Sequence, residues 1–486
     1  MKKSSLILSA VMTFVITGTV MANDALYVTN SNVTITDGIN IDTKQNFGIV
    51  AISGYKADIT GAEINVNVNN NTGWGITSMN QAKNGGIVHV GDANTEKISV
   101  AVTGKNDVYG VIALRNEGMP GTLCETVLTG KKLEINATSS EGWAVAVHSQ
   151  NSTTPKNIGS NTASKVVLNA ENIKITANAK EGYSEGLSAM SQGEIIVNGN
   201  LALKADTAIL ARGDAIVKIN ENGKHTTKLD GDMSFDYDKA TSGTKVDADV
   251  LVNLTGSESY WNGNSKVTWG TGAIPEGLEK VTGIDLRIND GATWNPTYVE
   301  AADKGDSGTA VLAQNRVTLS GGNIDLTNAK NQQIKIESLA GDNGTIKIGS
   351  EDNSLAVTKD NTATNLTVAA TQQYAEKIAS NDMSTAANKL AAKVQDETNA
   401  DGDSKTAASR VYIPETTVTG AVTADIDENG NATNVKEAVN ETNAAVSDLA
   451  SISLMTWRQE NNDMNKRLGE LRDSKGEHGA WARMAR

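Results

Sequence analysis

The sequence predicts an all-β chain: a right-handed parallel β-helix, then a linker and a C-terminal α-helix. Three observations predict it. Short segments alternate strictly between apolar and polar residues, a longer aromatic–small-residue rhythm overlies them, and no helical spacing interrupts either. The alternating segments include Ile64–Val68, Ile98–Val102, Leu133–Ile135, Ile173–Ile175, Leu201–Leu203, Val317–Leu319, Ile334–Ile336 and Ile346–Ile348. Period two sends one set of side chains inward and leaves Thr, Asn, Lys and Asp outside. Gly and Asn separate the segments, as turns need residues that accept positive φ.

The N-terminus reads as an export leader. Lys2 and Lys3 precede an apolar run from Leu6 to Val20, and Val20-Met21-Ala22 offers small residues where a signal peptidase reads. Cleavage is expected between Ala22 and Asn23, so residues 1–22 are assigned to a signal peptide. The run is too short and too polar for a good spanning helix.

Residues 23–370 carry the repeats. Phe47-Gly48-Ile49, Trp74-Gly75-Ile76, Tyr109-Gly110-Val111, Trp143-Ala144-Val145 and Tyr183-Ser184-Glu185-Gly186-Leu187 recur at spacings of 27, 35, 34 and 40 residues. Imperfect repeats of this length mark a solenoid, in which each unit buries its face against its neighbours. A β-sandwich array would show more hairpin signals. The texture changes near Leu254, where Tyr260-Trp261, Trp269 and Trp294 cluster. Residues 371–434 lose the rhythm and read as a linker or an inserted module, with one or two amphipathic turns at Lys389–Val394 and a strand within Val418–Asp425. Residues 435–473 read as a helix, because Val435, Val439, Thr442, Val446 and Leu449 follow a four–three spacing.

The chain ends on two motifs. Glu460 to Asp473 contains Leu468-Gly469-Glu470-Leu471-Arg472, and Gly479-Ala480-Trp481-Ala482-Arg483 follows. Together they resemble the junction of classical autotransporters (type V secretion), where an exported passenger meets its outer-membrane β-barrel. The resemblance covers the last 27 residues and implies several expectations. Leu468, Gly469, Leu471 and Arg472 would end a pore-spanning helix. Gly479, Trp481 and Arg483 would begin the first barrel strand, making 474–486 the start of a barrel cut short at Arg486. Residues 254–370 would be the C-terminal capping coils of the passenger. Asn462 matches the first Asn of the family's self-cleavage pair, while Asp463 replaces the second. The implied location is the outer membrane, cell surface or medium of a Gram-negative-type envelope, or the periplasm if no barrel follows.

Composition limits the chemistry. The net charge of -14 argues against nucleic acid as a partner. Cys124 is the one cysteine, so no intrachain disulfide forms, and four scattered His give no metal-ligand spacing. Gly305-Asp306-Ser307-Gly308 has the form of a serine-protease nucleophile string, yet sits late among the repeats with no His placed to act as its base, and is read as a chance match. Asp236, Asp238, Asp247 and Asp249 are the densest carboxylate group for polysaccharide hydrolysis. They read as ordinary outward charges, and Trp143 and His148 as repeat-face residues. No catalytic residue, cofactor or metal is expected. The expected function is adhesion or self-association at the cell surface, with a host glycan, a matrix protein or a second copy as partner; a passenger enzyme and a truncated, non-functional product are the alternatives.

Overall fold

The computed structural model describes the chain except residues 1–13, 17–19, 23, 81–83, 116–122, 152–163, 238–247, 270–280, 300–309, 331, 380–381, 399–404, 418 and 474–486. The described strands join in one long sheet dominated by parallel pairs. A strand pairs with the strand one repeat later, so three files of strands develop side by side.

The first file runs Val33–Ile35, Lys56–Ile59, Ile87–Val90 and on through Ile216–Ile219 to Val394–Asp396. The second runs Ile39–Thr43, Glu63–Asn69, Lys97–Gly104 and on through Tyr260–Asn262 to Arg410–Ile413. The third runs Leu26–Val28, Phe47–Ile52, Gly73–Met79, Val108–Leu114, Ala144–Gln150 and Ser184–Met190 to Ser265–Trp269. Long strands serve more than one file: the first half of Glu125–Ser139 lies in the first and the second half in the second, and Glu194–Arg212 passes through all three.

The core is built by register. Ile64, Ile98, Leu133, Ile173 and Leu201 lie in one column, with Val66, Val100, Ile135, Ile175 and Leu203 beside it. All ten are at most 2 % exposed. Burying each such side chain stabilises the fold by roughly 1.5–3 kcal/mol. The alternate positions face outward, where Asn67 donates to Asp42 at 2.9 Å, and Lys97 and Lys132 each reach Glu134 at 2.8 Å. Those two ammonium groups hold the Glu134 carboxyl down at about 2.

The third file stops first. Its last strand pairs antiparallel with Ala310–Leu312, while the other two files continue. The segment expected as a linker or inserted module is packed onto them instead. Its strands Val394–Asp396 and Arg410–Ile413 extend the first and second files, and Val422–Ile426 and Ala432–Glu437 add antiparallel strands. Helix α1 (Gln372–Ile378) buries Tyr374, Ala375 and Ile378. Helix α2 (Met383–Ala391) buries Ala386, Ala387, Leu390 and Ala391 against the neighbouring strands. Small alanines hid this face from a periodicity read on large apolar residues.

Two other boundaries differ. The C-terminal helix α3 spans Glu441–Asp473, not 435–473. Val435 belongs to the preceding strand, because Thr433 and Lys436 pair with Asp425 and Thr423. Within the expected leader, Phe14–Ile16 pairs with Val33–Ile35 and Val20–Ala22 with Ile39–Ile41. Cleavage after Ala22 would remove both strands.

Candidate binding face

The third file carries the most unusual side chains on its non-core side; of the two register positions there, Phe47, Trp74 and Tyr109 are part-exposed and the rest buried. Phe47, Trp74, Tyr109, Val145 and Glu185 share one register position, and Val50, Thr77, Ile112, His148 and Ser188 share another three residues on. Between them stand Gly48, Gly75, Gly110, Ala146 and Gly186. A Cβ at Gly75 would meet Val100 Cγ1 at 2.7 Å, and one at Gly110 would meet Ile135 Cγ2 at 2.7 Å, so this position points into the core. Little room exists there for anything beyond Gly or Ala, which explains the aromatic–small pattern.

The rings form a continuous row. Tyr27 and Phe47 have centroids 6.0 Å apart, Phe47 and Trp74 5.3 Å, and Trp74 and Tyr109 5.6 Å, all edge to face. Tyr109 then meets the imidazole of His148 at 5.5 Å. Phe47, Trp74 and Tyr109 are half-buried. Burial, with the nearby Asp107 and Glu185 carboxylates, pushes the Tyr109 phenol up to about 12. A second pair, Trp143 and Tyr183, stands 6.1 Å apart and is 43 % and 68 % exposed.

The structure therefore corrects the repeat alignment. Trp143 and Tyr183 do not continue the Phe47–Trp74–Tyr109 column; Val145 and Glu185 do, two residues later. The inward small residue, at Ala146 and Gly186, sets the true register. Following it rather than the aromatic would have found the shift.

Polar groups close the row. His148 is buried, its Nε2 lies 3.0 Å from Gln150 Oε1, and burial drives its pKa down to about 4. Glu185 is buried as well, and burial raises its carboxyl to about 7 against the lowering effect of a hydrogen bond from Ser188. Among the described residues, His148 Nδ1 and Thr77 Oγ1 have no hydrogen-bond partner.

The other expected sites are not assembled. Asp236 ends a third-file strand and accepts from Thr268 Oγ1, whereas Asp249 is exposed on the first file. Asp238, Asp247 and Gly305–Gly308 lie outside the described residues, as do Asn23, Gly479, Trp481 and Arg483. Ala22 ends the strand Val20–Ala22. Asn462 and Asp463 are exposed on α3, and Leu468, Gly469, Leu471 and Arg472 lie on its last turns. Among the described residues no group of three metal-ligating side chains converges, and no helix is long and apolar enough to cross a membrane. The chain matches no known protein family, no characterised protein and no solved structure.

Proposed function

We propose that this chain is an exported autotransporter-type passenger that acts at the cell surface by binding along its side. The parallel pairing of each strand with the strand one repeat later carries the reading. We read the three files as the three faces of a right-handed parallel β-helix, whose length grows with every repeat and whose sides stay accessible. The C-terminal features support the same reading. Val446, Leu449, Ile452, Leu454, Met455 and Trp457 are 55–70 % exposed on α3, a helix whose described side chains find no apolar cover in this chain.

Secretion tests the proposal directly. The chain joined to a complete autotransporter barrel should become accessible to protease and antibody on intact Gram-negative cells. Those cells should adhere to glycan- or matrix-coated surfaces or to one another. Retention behind the outer membrane, or display without any adhesion, would overturn it.

A further inference from the structure

We infer that the aromatic row of the third file is a binding track for an extended, neutral glycan. The inference rests on the reading of an exported binding rod and names the chemistry of its partner.

Six successive levels along the third file each carry one ring, on a slanting path. Tyr27 lies in register with Val50, three residues on from the Phe47–Trp74–Tyr109 column. Trp143 and Tyr183 stand two residues before that column, just ahead of their strands. Parallel strands stack about 4.8 Å apart. The ring pairs that touch have centroids 5.3–6.1 Å apart, an interval close to the advance per sugar in an extended pyranose chain. Aromatic rings stack on the C–H faces of sugars, while indole N–H and phenol O–H groups meet hydroxyls.

The two exposed rings are held by backbone. Trp143 and Tyr183 follow Glu141-Gly142 and Glu181-Gly182, two turns stacked directly on each other. A side chain at Gly142 would collide with Asp107 N at 2.7 Å, and one at Gly182 would lie 2.7 Å from the Gly142 carbonyl carbon. Trp143 N also donates to Asp107 Oδ1 at 2.9 Å. Rings fixed in this way lose little freedom on binding.

Composition selects the occupant. Between Leu26 and Ile413, every large hydrophobic side chain that is exposed among the described residues is aromatic: Trp143, Tyr183, Tyr298 and Tyr412. A lipid surface or an amphipathic partner helix would call for Leu, Ile or Met as well. Asp107 and Glu181 flank the row, with Glu141 bridged to Lys105 at 3.1 Å. This balance, on a chain of net charge -14, disfavours a polyanion.

The test uses the purified full-length chain, titrated with chitohexaose and cellohexaose as extended neutral probes and with hyaluronate as an acidic one. Tryptophan fluorescence and calorimetry report binding. At least one neutral hexasaccharide should bind. Trp143→Ala and Tyr183→Ala should each weaken it about tenfold, as loss of one stacked ring does, and the double variant should weaken it further. Tyr298→Ala and Tyr412→Ala, exposed elsewhere, should leave it unchanged. Both target side chains are exposed, so unchanged thermal midpoints will show that the variants fold. Absence of binding by either neutral probe, binding of hyaluronate alone, or full affinity in the double variant would each overturn the inference. Surface display does not depend on these outcomes, so the passenger reading stands or falls separately.

Discussion

Trp261 and Trp294 stack one strand level apart, with ring centroids 5.3 Å apart and planes 7° from parallel. Each indole donates to a glycine carbonyl 3.0 Å away, Trp261 to Gly231 and Trp294 to Gly263. Both rings are fully buried, so they fill the core and satisfy their own polar atoms at once. Trp261→Ala should cost about 3–5 kcal/mol. A double-mutant cycle with Trp294→Ala should show coupling of roughly 0.5–1.5 kcal/mol beyond burial. Thermal and denaturant unfolding measure both. Strict additivity would mean that the stack contributes area alone.

The inward register can be tested at Ile135, which is 0 % exposed and pairs with Val100 on one side and Ile175 on the other. Ile135→Asp should place a carboxylate in an apolar column, costing several kcal/mol. Asn136→Asp, one residue on and exposed, should be nearly neutral. A thermal midpoint unchanged in the first variant would refute the assigned register.

Glu185 gives the protein a pH dependence of definite sign. Its folded carboxyl is raised to about 7, chiefly by burial, with Asp236 adding to the rise. An unfolded glutamate titrates near about 4.3. Between these values the folded state holds the extra proton, so stability falls as pH rises through the window and levels off above about 7. The loss is on the order of 3–4 kcal/mol. Glu185→Gln should remove this slope and unfold at a higher midpoint than the parent at pH 8. Parallel pH–stability curves for the two proteins would contradict the assignment.

Helix α3 contributes little to the folded sheet. From Ala445 to Lys466 its side chains are exposed, Asn461 apart. Stopping the chain after Asn440 should leave the thermal midpoint of the β portion within about 1 °C, since the lost residues bury little apolar surface. A large drop would show that the helix packs back onto the sheet.

Self-cleavage is tested at Asn462. If the self-cleavage that the resemblance implies survives the change to Asp463, the chain fused to a complete autotransporter barrel is released with a new end after Asn462, and Asn462→Ala keeps it attached. Continued attachment of the parent, or release unaffected by the substitution, would set the idea aside.

Much of this architecture is legible in the sequence because it is local. Period-two alternation names Ile64, Ile98 and Ile135 as inward residues, and all three are buried. What alternation cannot supply is pairing across a repeat of varying length. The Trp143 and Tyr183 shift arises because ring chemistry marks the wrong position, while the inward Gly or Ala marks the right one. Helix α2 was legible only at its end, in the amphipathic turns expected at Lys389–Val394, because alanines make most of its buried stripe, and Val435 deceived because one residue type serves strands and helices alike. At the candidate face, the sequence displays the rings but not the burial that perturbs His148 and Glu185, which depends on neighbours far along the chain.

The parallel files also have a mechanical consequence. Each strand is hydrogen-bonded only to the levels on either side, so tension between Leu26 and α3 loads the seams in series and pulls them open rather than sliding them. Seams of this kind give way singly. The third-file register partners Phe47, Trp74, Tyr109 and Val145 are 27, 35 and 36 residues apart, so each event releases a slack length of that size. Under load such a chain lengthens in steps, as a shock absorber does, while its remaining levels stay folded.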